Sequence, residues 1–110
     1  MHPNDHVNRA QSTNDVIPSA AKMTTVVLLR EAIKQLVKLE QALAKKKFDF
    51  YDIIKMGRTQ MQDAVPIRLG DEFGAYRRAI TRDIERLSIA LEEMYSINMG
   101  GTAIGTALNA

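Results

Sequence analysis

Neither cysteine nor tryptophan occurs in the 110 residues, and the other aromatics amount to three phenylalanines and three tyrosines. Without cysteine there is no disulfide, no thiol nucleophile and no thiolate metal site. The same absence fits a reducing compartment and points to the cytoplasm. So few aromatics give little support for stacking on nucleic-acid bases. No stretch is apolar enough to span a bilayer, and the first residues lack the apolar core of a signal peptide. Charge is nearly balanced, with 15 lysines and arginines against 13 aspartates and glutamates, a formal +2. The one basic run, Lys45-Lys46-Lys47, falls where a helix is expected to end. Cations there complement the helix dipole. Neither nucleic acid nor a membrane is an expected partner.

What the chain does have is helical periodicity. Its length leaves room for one domain at most. Pro18 suits a first helical turn, where its missing N–H would be unpaired anyway. Asp15 just upstream is placed to cap that helix or to favour its positive end. Met23, Val26, Leu29, Ile33, Leu36 and Leu43 recur at spacings of three, four and seven, which predicts a helix over 18–46. Leu69, Phe73, Tyr76, Ile80, Ile84, Leu87, Leu91 and Met94 predict a second over 69–97, with Phe73 and Tyr76 as core. The linker 48–68 and the small-residue tail 100–106 read as loops. A linker that long is usually functional or holds structure of its own.

The expected fold class is therefore all-α. Residues 1–110 form one partial helical domain, two long helices in a hairpin-like fragment, with polar loops at the N-terminus and between the helices. Each helix would be roughly 40 Å long at about 1.5 Å per residue. A lone pair buries only one side of each. The wide apolar faces require further helices, from other sequence or other subunits.

Two polar blocks flank the first helix. One is His2-Pro3-Asn4-Asp5-His6-Val7-Asn8, running into Gln11-Ser12-Thr13-Asn14-Asp15; the other is Gly57-Arg58-Thr59-Gln60. Ser12, Thr13 and Asn14 offer two hydroxyls and an amide in succession. Such groups hydrogen-bond a carboxylate without neutralising it, and a helix start adds the positive end of a dipole. That suits a bound carboxylate, or the charge that forms when a proton leaves the carbon beside it. The same residue types are ordinary helix caps, so composition leaves both readings open. His2 and His6, four apart with Asp5 between them, raise metal binding. Pro3 and Asn4 disfavour a helix there and no third ligand is evident, so no metal is expected. Asp63 is a candidate general base without a supporting partner. If the linker does not retrace the long helix, the two blocks lie near its opposite ends, and a shared site then needs an antiparallel neighbour. Any active site is then an oligomeric one.

His-Pro-Asn-Asp with Val-Asn, then Gln-Ser-Thr-Asn-Asp and Pro, over 2–18, resemble the fumarase/aspartase superfamily. Gly57-Arg58-Thr59-Gln60, continuing through Met61-Gln62-Asp63-Ala64-Val65-Pro66 to Leu69-Gly70-Asp71-Glu72-Phe73, resembles that family's second signature region. Gly101-Thr102-Ala103-Ile104-Gly105-Thr106 with Leu108-Asn109 resembles the segment after its next helix. The resemblance covers essentially the whole chain, and a central piece of such an enzyme. Fumarases usually read Gly-Arg-Thr-His and Ser-Ser-Asn-Asp at these places. Gly-Arg-Thr-Gln and Ser-Thr-Asn-Asp are similar to the family's aspartate ammonia-lyases. Gln60 donates and accepts hydrogen bonds but cannot titrate as a histidine would. The chain departs from the family pattern at His6, often an aspartate, and at Ala107, usually a glycine.

The resemblance implies cofactor-free, reversible elimination of ammonia from L-aspartate to give fumarate. A base removes a proton beside the β-carboxylate, and hydrogen bonds hold the dianionic aci-carboxylate as ammonia leaves. It implies Ser12 and Thr13 on that carboxylate, Asn14 and Gln60 at the amino group, and Thr59 on the other carboxylate. Stabilising charge as it forms lowers the barrier most. His2, Asn4 and Asp5 match the family's secondary dicarboxylate site. A homotetramer with a central helical bundle is implied too, each active site drawing on three subunits. The family's catalytic serine lies in a Gly-Ser-Ser-x-Met-Pro segment, a pattern these 110 residues do not contain. The chain is thus expected to carry no catalytic residue and to be inactive alone. The alternatives are a fumarate hydratase fragment and a helical self-association module.

Overall fold

The computed structural model describes residues 1–9 and 11–107, with the side chains of Asn4 and Val7 outside the described set. After a single π-helical turn at Pro3–Val7 come α1 (Thr13–Asp49), β1 (Ile54–Thr59), β2 (Gln62–Arg68) and α2 (Leu69–Met94). The chain divides into two compact units. One comprises Met1–Glu31 and Ile89–Ala110, the other Ala32–Ser88.

α1 begins earlier than its apolar spacing indicates, and Pro18 lies inside it rather than in its first turn. Proline has no N–H to give the carbonyl four residues back. That carbonyl belongs to Asn14, and the Asn98 side-chain Nδ2 donates to it at 3.4 Å instead. The proline is tolerated because a side chain supplies the missing donor. α2 starts where expected and ends at Met94, short of the predicted boundary.

The linker is the main departure from the all-α expectation. β1 and β2 form an antiparallel ladder, so the chain is mostly helical but not purely so. Gln60 and Met61 make the two-residue turn, at φ 50° and 64°. Both central residues of a tight hairpin turn take positive φ in its commonest form, which normally selects Asn-Gly. Gln-Met gives no such signal, which is why the linker reads as a loop. The register runs Met56↔Pro66 and then Arg58↔Asp63, so β2 carries one extra residue in a bulge opposite Gly57. A Cβ on Gly57 would meet the Val65 carbonyl oxygen at 2.7 Å.

In this second unit the start of α2 docks on the turn after α1. Leu69 N–H donates to Ile53 O at 2.8 Å and Gly70 N–H to Phe50 O at 3.0 Å. These are two of the helix-start donors that lack intrahelical partners. Gly70 is buried, and a Cβ there would lie 2.5 Å from Lys47 O. Lys55 Nζ reaches Glu72 Oε1 at 2.7 Å, tying β1 to α2. Arg77 pairs with Glu40 between the helices. Phe50 meets Phe73 edge to face at 5.2 Å.

Among the described residues no apolar side chain is buried. Phe73 is half-buried and Tyr76 is exposed, so neither forms the closed core expected of it. In the first unit, Met23, Val26, Val27, Met94, Tyr95 and Ile97 line an open apolar concavity of about 320 Å³. The wide apolar stripes read from the sequence are present, and this chain does not cover them.

Gly70→Ala places a methyl group against fixed backbone. It is expected to lower unfolding free energy by about 1–3 kcal/mol. Urea unfolding followed by circular dichroism measures this, and an unchanged midpoint would contradict the close approach.

Candidate functional site

The first polar block is locally ordered. Its turn is closed by Asn8 N–H to Pro3 O at 2.9 Å. A helical turn thus forms where Pro3 and Asn4 were expected to disfavour one. At the first position of a turn, proline gives up only an N–H that would have had no partner. His2 Nδ1 lies 3.1 Å from Asp5 Oδ2, and His6 Nδ1 lies 3.0 Å from the His2 backbone N. His2 and Asp5 thus stand together on an exposed surface. The Asn4 side chain lies outside the described residues.

Ser12 caps α1. Its Oγ accepts the Asn14 N–H at 3.2 Å, while Asp15 Oδ2 accepts the Ser12 N–H at 2.9 Å. The carboxylate half is that of a capping box with aspartate in the acidic position, while the hydroxyl takes the N–H one residue earlier than in the usual box. Asp15 is fully buried, and its second oxygen, Oδ1, accepts the Thr102 N–H at 2.8 Å. Its charge sits at the positive end of the helix. The cap uses Ser12 Oγ as an acceptor and leaves its O–H free to donate to a ligand. Capping and ligand binding are therefore compatible in one residue. Thr13 and Asn14 are exposed on the first turn. Asn14 Nδ2 donates to Ala103 O at 3.2 Å.

The second block occupies the tip of the β-hairpin. Thr59 ends β1 and pairs with Gln62, and Gln60 follows in the turn. Both Thr59 and Gln60 are exposed. Left-handed backbone at Gln60 and Met61 costs roughly 1–2 kcal/mol per residue relative to ordinary conformations. Strain of this kind concentrates where side chains are kept for their chemistry. Arg58 Nε meets Asp63 Oδ1 at 3.0 Å across the hairpin, so Asp63 has an ion-pair partner. The pair is exposed and adds little stability.

His2, Asp5, Ser12, Thr13 and Asn14 fall in the first unit, Thr59 and Gln60 in the second. Three open concavities, of about 320, 420 and 490 Å³, include none of these residues in their linings. The candidate groups lie on loops and helix starts, where this chain does not enclose them.

The tail after α2 contributes residues that sequence reasoning missed. Thr102, Ala103 and Asn98 all bond the start of α1. A Cβ on Gly101 would lie 2.6 Å from Asn98 Oδ1, so glycine lets the Asn98 amide lie close. The tail is closed by Gly105 N–H to Gly101 O at 2.8 Å. Ser12 three before Asp15 was a legible cap signal. Nothing local announces a partner 87 residues away. Ala107, where the family usually has glycine, adopts φ 55°. That left-handed conformation is the physical reason for the usual glycine.

The candidate groups thus stand at the start of α1 and at the tip of the β-hairpin. The family model described as "Lyase" matches residues 1–110. The chain belongs to this lyase family, the fumarase/aspartase superfamily. It is 49% identical over 110 residues to the aspartate ammonia-lyase of Bacillus subtilis (strain 168), covering 100% of this chain and 23% of that protein. It is 46% identical over 110 residues to the class II fumarate hydratase of Chlamydia caviae, covering 99% of this chain and 24% of that one. The crystal structure of a class II fumarase from Schistosoma mansoni superposes with a TM-score of 0.85 at 37% identity, over 100% of this chain and 23% of that one. A fumarate lyase:delta crystallin from Brucella melitensis gives 0.83 at 45% identity, over 100% of this chain and 24% of that one. The chain thus spans 23–24% of the length of these relatives.

Ala107→Gly removes the left-handed penalty and is expected to stabilise the tail by about 1 kcal/mol. The urea midpoint should rise; a fall would mean that the backbone there is not left-handed.

Proposed function

We propose that this chain is the central segment of an aspartate ammonia-lyase that reversibly converts L-aspartate to fumarate and ammonia. The observation that carries this reading is the hairpin tip. A neutral, non-titrating amide, Gln60, stands exposed on left-handed backbone that glycine or asparagine would occupy more easily. A site that releases an amine gains from a group that accepts from ammonium without competing for the proton.

Ser12 and Thr13 donate to the β-carboxylate. As the proton leaves the adjacent carbon, negative charge collects on those oxygens, and the C–N bond then breaks to release ammonia and leave the double bond. Hydroxyls and a helix start aimed at that charge favour the transition state over the ground state. Asn14 and Gln60 hold the amino group, and Thr59 holds the α-carboxylate. The base comes from outside these residues, so the isolated chain is inactive. His2, Asn4 and Asp5 form a secondary dicarboxylate site. The complete enzyme is a cytoplasmic homotetramer in which the first-unit and second-unit residues of different subunits meet. A fumarate hydratase, named among the relatives, is the competing reading.

Ammonia release from L-aspartate by the full-length parent, assayed beside L-malate, decides between them; turnover of malate alone overturns the proposal. In that parent, Ser12→Ala and Gln60→Ala are each expected to lower kcat/KM about 10- to 100-fold. Wild-type turnover in both would exclude these roles.

The uncovered apolar faces favour a second reading for the chain in isolation, as a helical self-association module. Its sedimentation coefficient should rise with concentration. A monomer with weak helical circular dichroism would count against it.

A further inference from the structure

Asp15 does more than a cap requires. A capping box needs one acidic oxygen on the N-cap N–H, and Asp15 Oδ2 supplies it at 2.9 Å. Oδ1 is spent on Thr102, and the carboxylate is wholly buried between the two N–H groups. The residue before Asp15 grips the residue after Thr102, since Asn14 Nδ2 donates to Ala103 O at 3.2 Å. Two adjacent residues of α1 thus hold two adjacent residues of the tail.

This arrangement orients a side chain. An amide has a donor half and an acceptor half. With Nδ2 against a carbonyl, the flipped orientation would set two acceptors face to face. Asn14 is therefore held with Oδ1 as its outward group. Its backbone is fixed as well: its N–H goes to Ser12 Oγ, and its carbonyl, left unpaired by Pro18, takes Asn98 Nδ2. An outward acceptor suits an ammonium group. An outward donor would suit a carboxylate.

We infer that Asp15 is a positioning residue for amine recognition: by holding Thr102 it sets the Ala103 carbonyl against Asn14 Nδ2 and so presents Asn14 Oδ1 to the substrate's amino group. The inference rests on the proposed role of Asn14. It differs from a purely structural role in what it separates. Loss of the Thr102 contact weakens binding of the amine and, with the Ser12 N–H still held by the carboxylate, spares binding of the carboxylates.

The test uses the full-length parent and two ligands, L-aspartate and succinate, which has the two carboxylates without the amine. Asp15→Asn removes the charge and one acceptor. Asp15→Glu keeps an ordinary capping box but moves the carboxylate off Thr102. Both are expected to lower kcat/KM for L-aspartate about 10- to 100-fold, the range for losing a charge-assisted hydrogen bond. The succinate inhibition constant should stay within about threefold of wild type. If Asp15→Asn does not fold, as circular dichroism would show, Asp15→Glu carries the test. Parallel loss of aspartate and succinate affinity would reduce Asp15 to a fold contact, and wild-type values for both ligands would remove its role; either result overturns the inference. A wild-type parent inactive on L-aspartate but active on L-malate overturns the proposed substrate instead. That result takes the amine role of Asp15 down with it, whereas failure of the aspartate–succinate split in an active aspartate lyase overturns the role of Asp15 alone.

Discussion

A helix start leaves four backbone N–H groups without partners in the helix, and the tertiary contacts at the starts of α1 and α2 grow from that constraint. At α1 the Ser12 hydroxyl and the Asp15 carboxylate take two of these groups, and the spare carboxylate oxygen draws in the tail through Thr102. At α2 the carbonyls of Phe50 and Ile53 do the same work for Gly70 and Leu69. Each solution needs close approach, and glycine makes room, Gly101 beside Asn98 and Gly70 against Lys47. No apolar side chain among the described residues is buried, so polar junctions rather than a closed core set the local order.

The candidate chemistry sits on those same junctions. Ser12 caps α1 through its lone pairs and keeps a proton to donate. Asn14 has its N–H, its carbonyl and half its amide engaged, which leaves one acceptor facing out. Gln60 stands on a turn whose backbone other residues would adopt more cheaply. A pre-organised group needs no reorganisation when charge develops, and for that reason rigid junctions make good places for it. The exposed apolar stripes complete the picture. The chain spans about a quarter of the length of its lyase-family relatives, and within it these stripes stay open.

Much of this was legible beforehand, for identifiable reasons. Apolar residues at three-four spacing announce a helix whatever surrounds it, and α2 begins at Leu69 as read. The start of α1 was misplaced because Pro18 looks like a first-turn residue, and only Asn98, far along the chain, lets it sit deeper. The β-hairpin was invisible because its turn is Gln60-Met61 and its bulge interrupts the two-residue alternation. The π-helical turn at Pro3–Val7 went against local preference as well. Phe73 and Tyr76 follow the apolar spacing, but Phe73 is only half-buried and Tyr76 is exposed, since a face becomes a core only when something covers it.

The sequence by itself determined the two helices, the polar blocks and the family, because each is written in local periodicity or in contiguous motifs. The tertiary structure alone decided what those motifs do to one another. It showed that the aspartate of Ser-Thr-Asn-Asp is buried, that its second oxygen holds the tail, and that a carbonyl there turns the neighbouring asparagine amide. It also explained the family's glycine at the position of Ala107, through a left-handed φ that composition does not reveal. The reason is the same in every case. A hydrogen bond between residues 87 apart has no local cause, and only the folded chain brings its two ends within reach.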